Sequence, residues 1–427
     1  MATLPRFADE WLLSRVLLAT GSAPVRLLVK GGADVSPPGG TPVATMVIQD
    51  RRTLAGLLRD PEVSFGDAYM DGRIEVEGDL VRFLEAVYQA MECSSPVGKW
   101  YSRVASKWMD VLQDNSRHGS RTNIHRHYDL GNDFYKLWLD DQLLYTCAYF
   151  PTPSSTLEHA QIAKMDHVCR KLRLQPGETV VEAGCGWGAL ALHMAREYGV
   201  SVKAYNVSHE QIAFARERAR AEGLGDRVEY IEDDYRAISG KFDVFVSVGM
   251  LEHVGLDHFQ EFAETIHRSI GDTGRGLLHF IGRNYPAVFS RWIRKHIFPG
   301  GFVPSLRQSL KVLEPVNYSI LDVENLRMHY AKTLEHWLER FEKSRQQVTA
   351  MYDSRFVRAW RLYLAGSIAA FRVGDLQLFQ ILFTGAQRQP IYWTRDPLYA
   401  AAEPGAEDAK LVVEKVREKV KWTHAMS

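Results

Sequence analysis

Three glycines at two-residue spacing, Gly184, Gly186 and Gly188, stand just behind an acid, Glu182, in the stretch TVVEAGCGWG at 179–188. β-Prone residues lead into the acid. A helical pattern of Leu190, Ala191, Met194 and Ala195 follows and stops at Gly199. This reads as strand, tight turn, helix. Glycines at such a turn let the backbone come close to a ligand, and the helix start offers free N–H groups and positive potential. The chemistry this suits is binding of a nucleotide-type cofactor. A dinucleotide fingerprint requires G-x-G-x-x-G; here the spacing is G-x-G-x-G, with the acid inside the strand end. The plain alternative is a bare βα turn.

The elements that must position such a turn follow in regular order. Residues 200–207 predict a strand, 208–221 a helix capped by Ser208, 227–232 a strand, and 242–248 a buried strand. A helix over 258–270, strands over 276–282 and 320–323, helices over 331–345 and 356–371, and a last strand over 376–384 complete the pattern. Strands alternating with helices argue a parallel, doubly wound sheet. Ligands in such sheets sit at the carboxyl ends of strands. Glu182 to Gly188, Asn206, Asp234, Glu252 and His279 stand at those ends and are the site candidates.

The flanking sequence has a different character. Residues 1–95 predict a small α+β domain, with an amphipathic helix over 7–20, strands over 25–30 and 43–50, and helices over 54–58 and 80–91. Residues 96–122 predict a linker, where Lys99, Arg103 and Lys107 mix with Trp100, Tyr101 and Trp108; this suits either a lipid headgroup interface or an inward-packed helix. The catalytic domain is placed at 123–395 and a charged peripheral tail at 396–427. Lys+Arg and Asp+Glu both total 52, so net charge gives no case for nucleic acid. The four cysteines are far apart and form no C-x-x-C pair, so zinc and thioredoxin-type readings lack support, no metal is expected, and a reducing cytoplasm fits. The N-terminal helix is too interrupted by charge for a secretory leader, and no apolar run approaches the roughly 18–20 residues that cross a bilayer. Residues 273–313 hold no Asp or Glu, and there Arg291, Trp292, Arg294, Lys295 and Phe298 form a basic, aromatic patch. Such a patch suits an anionic membrane surface; a solvated basic face over a core is the plain alternative.

Ordered motifs narrow this further. HYDLGNDFY (127–135), LYTC (144–147), EAGCGWG (182–188), DDYR (233–236), SVGMLEHVG (247–255), LLHFIG (277–282), WIRKHIFPGG (292–301) and HYAKTLEHW (329–337) together resemble the cyclopropane-fatty-acyl-phospholipid synthases, relatives of the mycolic acid cyclopropane synthases. The resemblance covers about 120–390, and GDAYMDG (66–72) extends it more weakly into the N-terminal domain. It implies an α/β class I S-adenosylmethionine (SAM) methyltransferase fold, seven strands with the last antiparallel. SAM would lie over Gly184, Gly186 and Gly188, with Tyr145 and Thr146 at its methionine end. Asn206 and Gln211 would meet the ribose, and Asp234 and Tyr235 the adenine. Many SAM enzymes carry an acid where this chain has Asn206.

The resemblance also implies the reaction: SAM adds a methylene to the double bond of an unsaturated phospholipid acyl chain, through a carbocation. A bound bicarbonate would be the base, held by Cys147, Glu252, His279, Tyr330 and the backbone of Ile281. Tyr149, Phe150 and Phe280 would offer π-faces to the cation. A homodimer, attached peripherally to the inner face of the membrane in the cytoplasm, is the implied working form. The rivals are a SAM enzyme making methyl-branched or methylene acyl chains, one acting on a small soluble nucleophile, and a non-catalytic lipid-binding protein.

Overall fold

The computed structural model describes residues 6–37, 39–93, 130–388, 391 and 393–396. The expected linker at 96–122, the start of the HYDLGNDFY motif, and all but the first residue of the expected tail lie outside them.

The N-terminal part begins with α1 (Arg6–Ala19), followed by β1 (Arg26–Val29), β2 (Asp34–Val35) and β3 (Thr45–Ile48). Then come α2 (Arg51–Arg59), α3 (Pro61–Met70), β4 (Ile74–Glu77) and α4 (Leu80–Cys93). The four strands form one sheet in the order β2-β1-β3-β4. Asp50 and Asp60 cap α2 and α3 by accepting from Thr53 N and Val63 N, and Asp79 accepts from Arg82 N at the start of α4. The sequence reading lacks α3, β2 and β4, each short and without a periodic apolar run.

The larger sheet is built from α5 (Leu157–Leu172), β5 (Thr179–Ala183), α6 (Ala189–Tyr198), β6 (Ser201–Asn206), α7 (His209–Ala221), β7 (Val228–Glu232) and β8 (Val244–Val248). It continues through α8 (Phe259–Ile270), β9 (Arg275–Gly282), α9 (Arg291–His296), β10 (Ser319–Asn325), α10 (Arg327–Lys343), α11 (Ser354–Val373) and β11 (Gln377–Thr384). The strand order is β10-β11-β9-β8-β5-β6-β7. β11 runs antiparallel to both of its neighbours, and the remaining pairs are parallel. This is the seven-stranded sheet expected, with its last strand reversed. The chain leaves β5 toward β6 on one side and returns to β8 on the other, so a crevice opens at the carboxyl ends of β5 and β8.

Both sheets belong to one compact unit that ends at residue 389. A single apolar core runs from Leu27 and Met46 of the small sheet, through Phe83 and Leu84 of α4, to Trp360 and Leu364 of α11. A second core, with Val181, Phe245, Leu278 and Ile381, lies on the other face of the large sheet. Ion pairs rim the first core: Arg372 with Glu85 and Glu335, Arg355 with Asp71, and Arg358 with Glu75.

Candidate functional site

At the β5/β8 crevice lies a cavity of about 110 Å³. Tyr145, Thr146, Glu182, Gly184, Gly186, Asn206 and Gln211, seven of the expected cofactor residues, line it together with Lys164. All three turn glycines have positive φ, at +86°, +53° and +84°. Their surroundings differ. A Cβ at Gly186 would meet no protein atom within 4 Å, which leaves that side of the turn open to a ligand. A Cβ at Gly188 would overlap the Tyr230 phenol, whose hydroxyl donates to Gly188 O at 2.7 Å. Gly188 therefore serves close packing of helix on strand and is absent from the cavity wall. Asp234 and Tyr235 are absent from it too. Asp234 caps Arg236 N at 2.9 Å and pairs with its guanidinium at 3.0 Å, and Arg236 lies over the Tyr235 ring at 4.6 Å.

The cavity's polar groups are held but not saturated. Asn206 Nδ2 donates to Gln211 Oε1 at 2.7 Å, and its Oδ1 accepts from Val207 N. That leaves Gln211 Nε2 buried with no partner among the described residues. Glu182 Oε2 is in the same position. Burial pushes the Glu182 carboxyl up to about 8, against the pull of Lys164, and burial brings the Lys164 ammonium down to about 8. A nucleoside with a zwitterionic tail matches this donor and acceptor set, so the residues present fit SAM.

A second and larger cavity, about 580 Å³, adjoins the first; Tyr145, Thr146, Gly249 and His253 line both. Cys147, Glu252, His279, Ile281 and Tyr330 all line it, so the structure brings the five catalytic candidates to one chamber. Its walls are apolar and reach Val16 of α1, Leu27 of β1, Met46 of β3 and Leu84 of α4. Tyr149, Phe150 and Phe280 line neither cavity. Tyr149 instead stacks between His167 and His329, at 4.3 and 4.8 Å. Tyr145, Tyr330, Tyr363 and Phe371 are among the aromatic residues that do line the chamber.

Local hydrogen bonds aim the polar groups. Ile281 N donates to Glu252 Oε1 at 2.6 Å, while Oε2 has no partner among the described residues. Burial pushes the Glu252 carboxyl up to about 7, and the Ile281 N–H holds it back. Of the Ile281 backbone expected on the anion, the N–H is taken by Glu252. Gln380 Nε2 on β11 meets His279 Nδ1 at 3.0 Å. With that amide nitrogen as donor, Nδ1 accepts and Nε2 carries the proton. His279 Nε2 has no partner among the described residues, and burial keeps the ring well below the ordinary histidine range, hence neutral. The Cys147 thiol is buried, donates to Ala148 O at 3.2 Å and is pushed upward by burial, so it stays protonated.

The loop that carries Tyr145–Cys147 is clamped from two helices. Gln161 on α5 donates to Leu144 O and Thr146 O, and Lys164 Nζ to Thr146 Oγ1. On α10, Thr333 Oγ1 accepts from Ala148 N at 3.0 Å, and His329 Nδ1 from Phe150 N at 2.9 Å. Tyr363 on α11 meets the Tyr145 hydroxyl at 2.8 Å. The sequence reading missed Gln161, Thr333, His329, Gln380 and Tyr363 as site residues. The four-residue spacing of His329 and Thr333, astride Tyr330, was the available signal.

The basic patch is placed otherwise than expected. Trp292 is buried, and its ring fills the space a side chain at Gly66 of α3 would take. Arg291 pairs with Asp60 and Glu62, and Lys295 and His296 pair with Asp67. Phe298 is half-buried and packs edge-on against Tyr363. Arg294 lies over the Phe289 ring at 5.8 Å. The reason is the unread acidic helix α3, whose carboxylates draw α9 inward. Among the described residues no group of three or more His, Cys, Asp or Glu could hold a metal ion. No described helix is long and apolar enough to cross a membrane.

A sheet of this order, with a glycine turn and a small polar cavity at its switch point, defines a class I SAM-dependent methyltransferase. Residues 115–381, more than half of the chain, match the family described as mycolic acid cyclopropane synthetase, and the chain belongs to that family. Residues 31–95 match a family described as a domain of unknown function. The chain is 36% identical over 382 residues to the cyclopropane-fatty-acyl-phospholipid synthase of Escherichia coli K12, covering 89% of this chain and 93% of that protein. It is 35% identical over 378 residues to a probable fatty acid methyltransferase of Pseudomonas putida, covering 84% and 93%. The solved mycolic acid cyclopropane synthase CmaA1, in complex with SAH and CTAB, matches at 30% identity with a TM-score of 0.59, over 62% of this chain and 97% of that one.

Proposed function

We propose that this enzyme transfers a methylene group from SAM to the double bond of an unsaturated phospholipid acyl chain and closes a cyclopropane ring, with bound bicarbonate as base. Family membership supports the broader statement, SAM-dependent transfer to a lipid acyl chain. The observation that carries the finer one is the apolar chamber, which ends on Cys147, Glu252, His279, Ile281 and Tyr330 and adjoins the cofactor cavity.

SAM, when bound, supplies a methyl group made electrophilic by its sulfonium. The chain's residues do the rest. The chamber excludes water, which protects a cation on the acyl chain from capture. Tyr145, Tyr330, Tyr363 and Phe371 present π-faces to that cation. Loss of a proton from the added methyl closes the ring, so a base must stand at the chamber's polar end. His279 Nε2–H is a free donor there and Glu252 Oε2 a free acceptor, a pair that suits an anion carrying one hydroxyl. The Cys147 thiol adds a neutral polar edge. Asn206 and Gln211 hold the ribose side, and Tyr145, Thr146 and Glu182 the methionine side. Asp234 and Tyr235 stay proposed for the adenine side, through backbone and ring rather than the capped carboxylate.

A lipid held in a bilayer has to be met at its surface, so we place the enzyme peripherally on the inner face of the membrane, as a homodimer, in the cytoplasm. The exposed stripe of α1 supports the contact. Phe7, Trp11 and Leu18 are 77%, 56% and 63% exposed. Helical geometry puts them within about 40° of arc, opposite the buried Leu13 and Val16. Val16 lines the chamber from the same helix.

The test is mass spectrometry of lipids after incubation with SAM, bicarbonate and monounsaturated phospholipid vesicles. A gain of one CH₂, shown by NMR to be a ring, supports the proposal. A methyl branch keeps fold and cofactor but favours the rival reading, which the Pseudomonas relative's name supports. No gain overturns both.

A further inference from the structure

We propose that Lys164 grips the α-carboxylate at the methionine end of the cofactor, across from Glu182, which takes the α-ammonium. The proposal rests on assigning the smaller cavity to SAM. Lys164 is 1% exposed on α5 and lines that cavity. Its Nζ donates to Thr146 Oγ1 at 3.0 Å, the one acceptor it has among the described residues. An ammonium carries three donors, and a buried one without an anion is strongly disfavoured. Asp140 feels its charge but is turned to the backbone, accepting from Gln142 N at 2.9 Å and Leu144 N at 3.0 Å. Glu182 Oε2, in the same cavity, has no partner among the described residues.

One small cavity thus holds a cationic donor with a single hydroxyl acceptor and a carboxyl oxygen with no hydrogen bond among the described residues, each within reach of the other's charge. An α-amino acid end presents the two complementary groups on one carbon. A phosphate in that place would face Glu182 and be repelled; a plain thioether or nucleoside end would leave both groups unpaired. At the cavity's other end, Asn206 and Gln211 offer neutral donors and acceptors suited to hydroxyls, which fixes the direction in which the ligand lies. Lys164 is then a binding residue, and its hydrogen bond couples the filled cavity to the loop that carries Cys147.

Calorimetric titration of the full-length protein tests this with three probes: S-adenosylhomocysteine, its decarboxylated amine, and 5′-methylthioadenosine, which lacks the whole amino acid end. The wild type is expected to bind S-adenosylhomocysteine at least about 30-fold tighter than the decarboxylated amine. In Lys164→Met that preference should fall below about 3-fold, while affinity for 5′-methylthioadenosine stays within about 3-fold. A preference retained in the variant assigns the carboxylate to the glycine-turn backbone and overturns the proposal. A loss equal for all three probes makes Lys164 only a scaffold for the loop, and overturns it too. A wild type that binds the amine as well as S-adenosylhomocysteine overturns it without any variant. If Lys164→Met shows no cooperative melt, Thr146→Val takes its place, with the preference expected to drop about threefold. Failure of the wild type to bind any of the three probes instead removes the SAM assignment itself.

Discussion

Glu252 is buried where a charge is disfavoured, yet the proposed base needs its carboxylate as an acceptor. Its carboxyl titrates near 7 in the folded protein, so it is protonated below that pH and charged above it. Turnover is expected to rise with pH through about 7 and then level off. Glu252→Gln should abolish the rise and lower kcat at least about 100-fold, read from pH profiles on lipid vesicles. The stability effect has the opposite sign. Between 4.5, where the unfolded carboxyl titrates, and about 7, the folded state binds more protons, so stability falls as pH rises. Glu252→Gln should therefore melt no lower than wild type at pH 8. The turn glycines give a paired prediction. Gly186→Ala should weaken SAM binding more than tenfold, because its Cβ enters the open cavity. Gly188→Ala should cost about 2 kcal/mol or more in denaturant unfolding, through positive φ and the Tyr230 overlap. In the sequence these glycines look alike. What separates them is Tyr230, a neighbour only in space, so Gly188 was legible as a glycine position and not as a packing one. Glu252 and His279 were legible because strand ends gather ligands; that Ile281 N would bond Glu252 and Gln380 would bond His279 was not, since both contacts depend on how β9 sits against its neighbours in space.

Elements with a strong period were read within a few residues. β5 through β9 follow the predicted strands, and α7 starts beside its expected cap, Ser208. α3 was not read, and the error spread from it to α9. An acid-free window with tryptophan and arginine describes a membrane patch and a helix docked on an acidic neighbour equally well; only the position of Asp60, Glu62 and Asp67 distinguishes them. Two outcomes follow. Trp292→Ala should cost about 3–5 kcal/mol, measured by urea unfolding, as expected for a buried tryptophan. In vesicle flotation, the combined Phe7→Ser and Trp11→Ser variant should lose most of its binding. Arg291→Glu with Lys295→Glu should change binding little, and stability by about 1 kcal/mol or less per exposed pair.

At the scale of the molecule, the chamber is wider than the catalytic sheet. Val16, Leu27, Met46 and Leu84 wall it from the N-terminal part, so under the proposed function an acyl chain would meet residues of both parts of the chain. Met46→Trp should shorten the usable chamber and shift products from mixed-chain vesicles toward shorter acyl chains, with a stability loss of about 1–3 kcal/mol from overpacking. Composition and motif order made two sheet systems legible. That they share one core was not, because a core is a property of contacts and the sequence shows each amphipathic face without its partner.

The antiparallel strand β11 also sets a timetable. The lining of the smaller cavity is complete once His253 is translated, whereas Tyr330, Tyr363, Leu378 and the amide of Gln380 that orients His279 come last. At ribosomal speeds of about 5–20 residues per second, a growing chain spends on the order of 5–25 s between those points. During that interval it has the residues to hold an alkylating agent but none of the final strand, which must still slide between β9 and β10. Under the proposed function, transfer would await that strand, because the Gln380 amide orients His279.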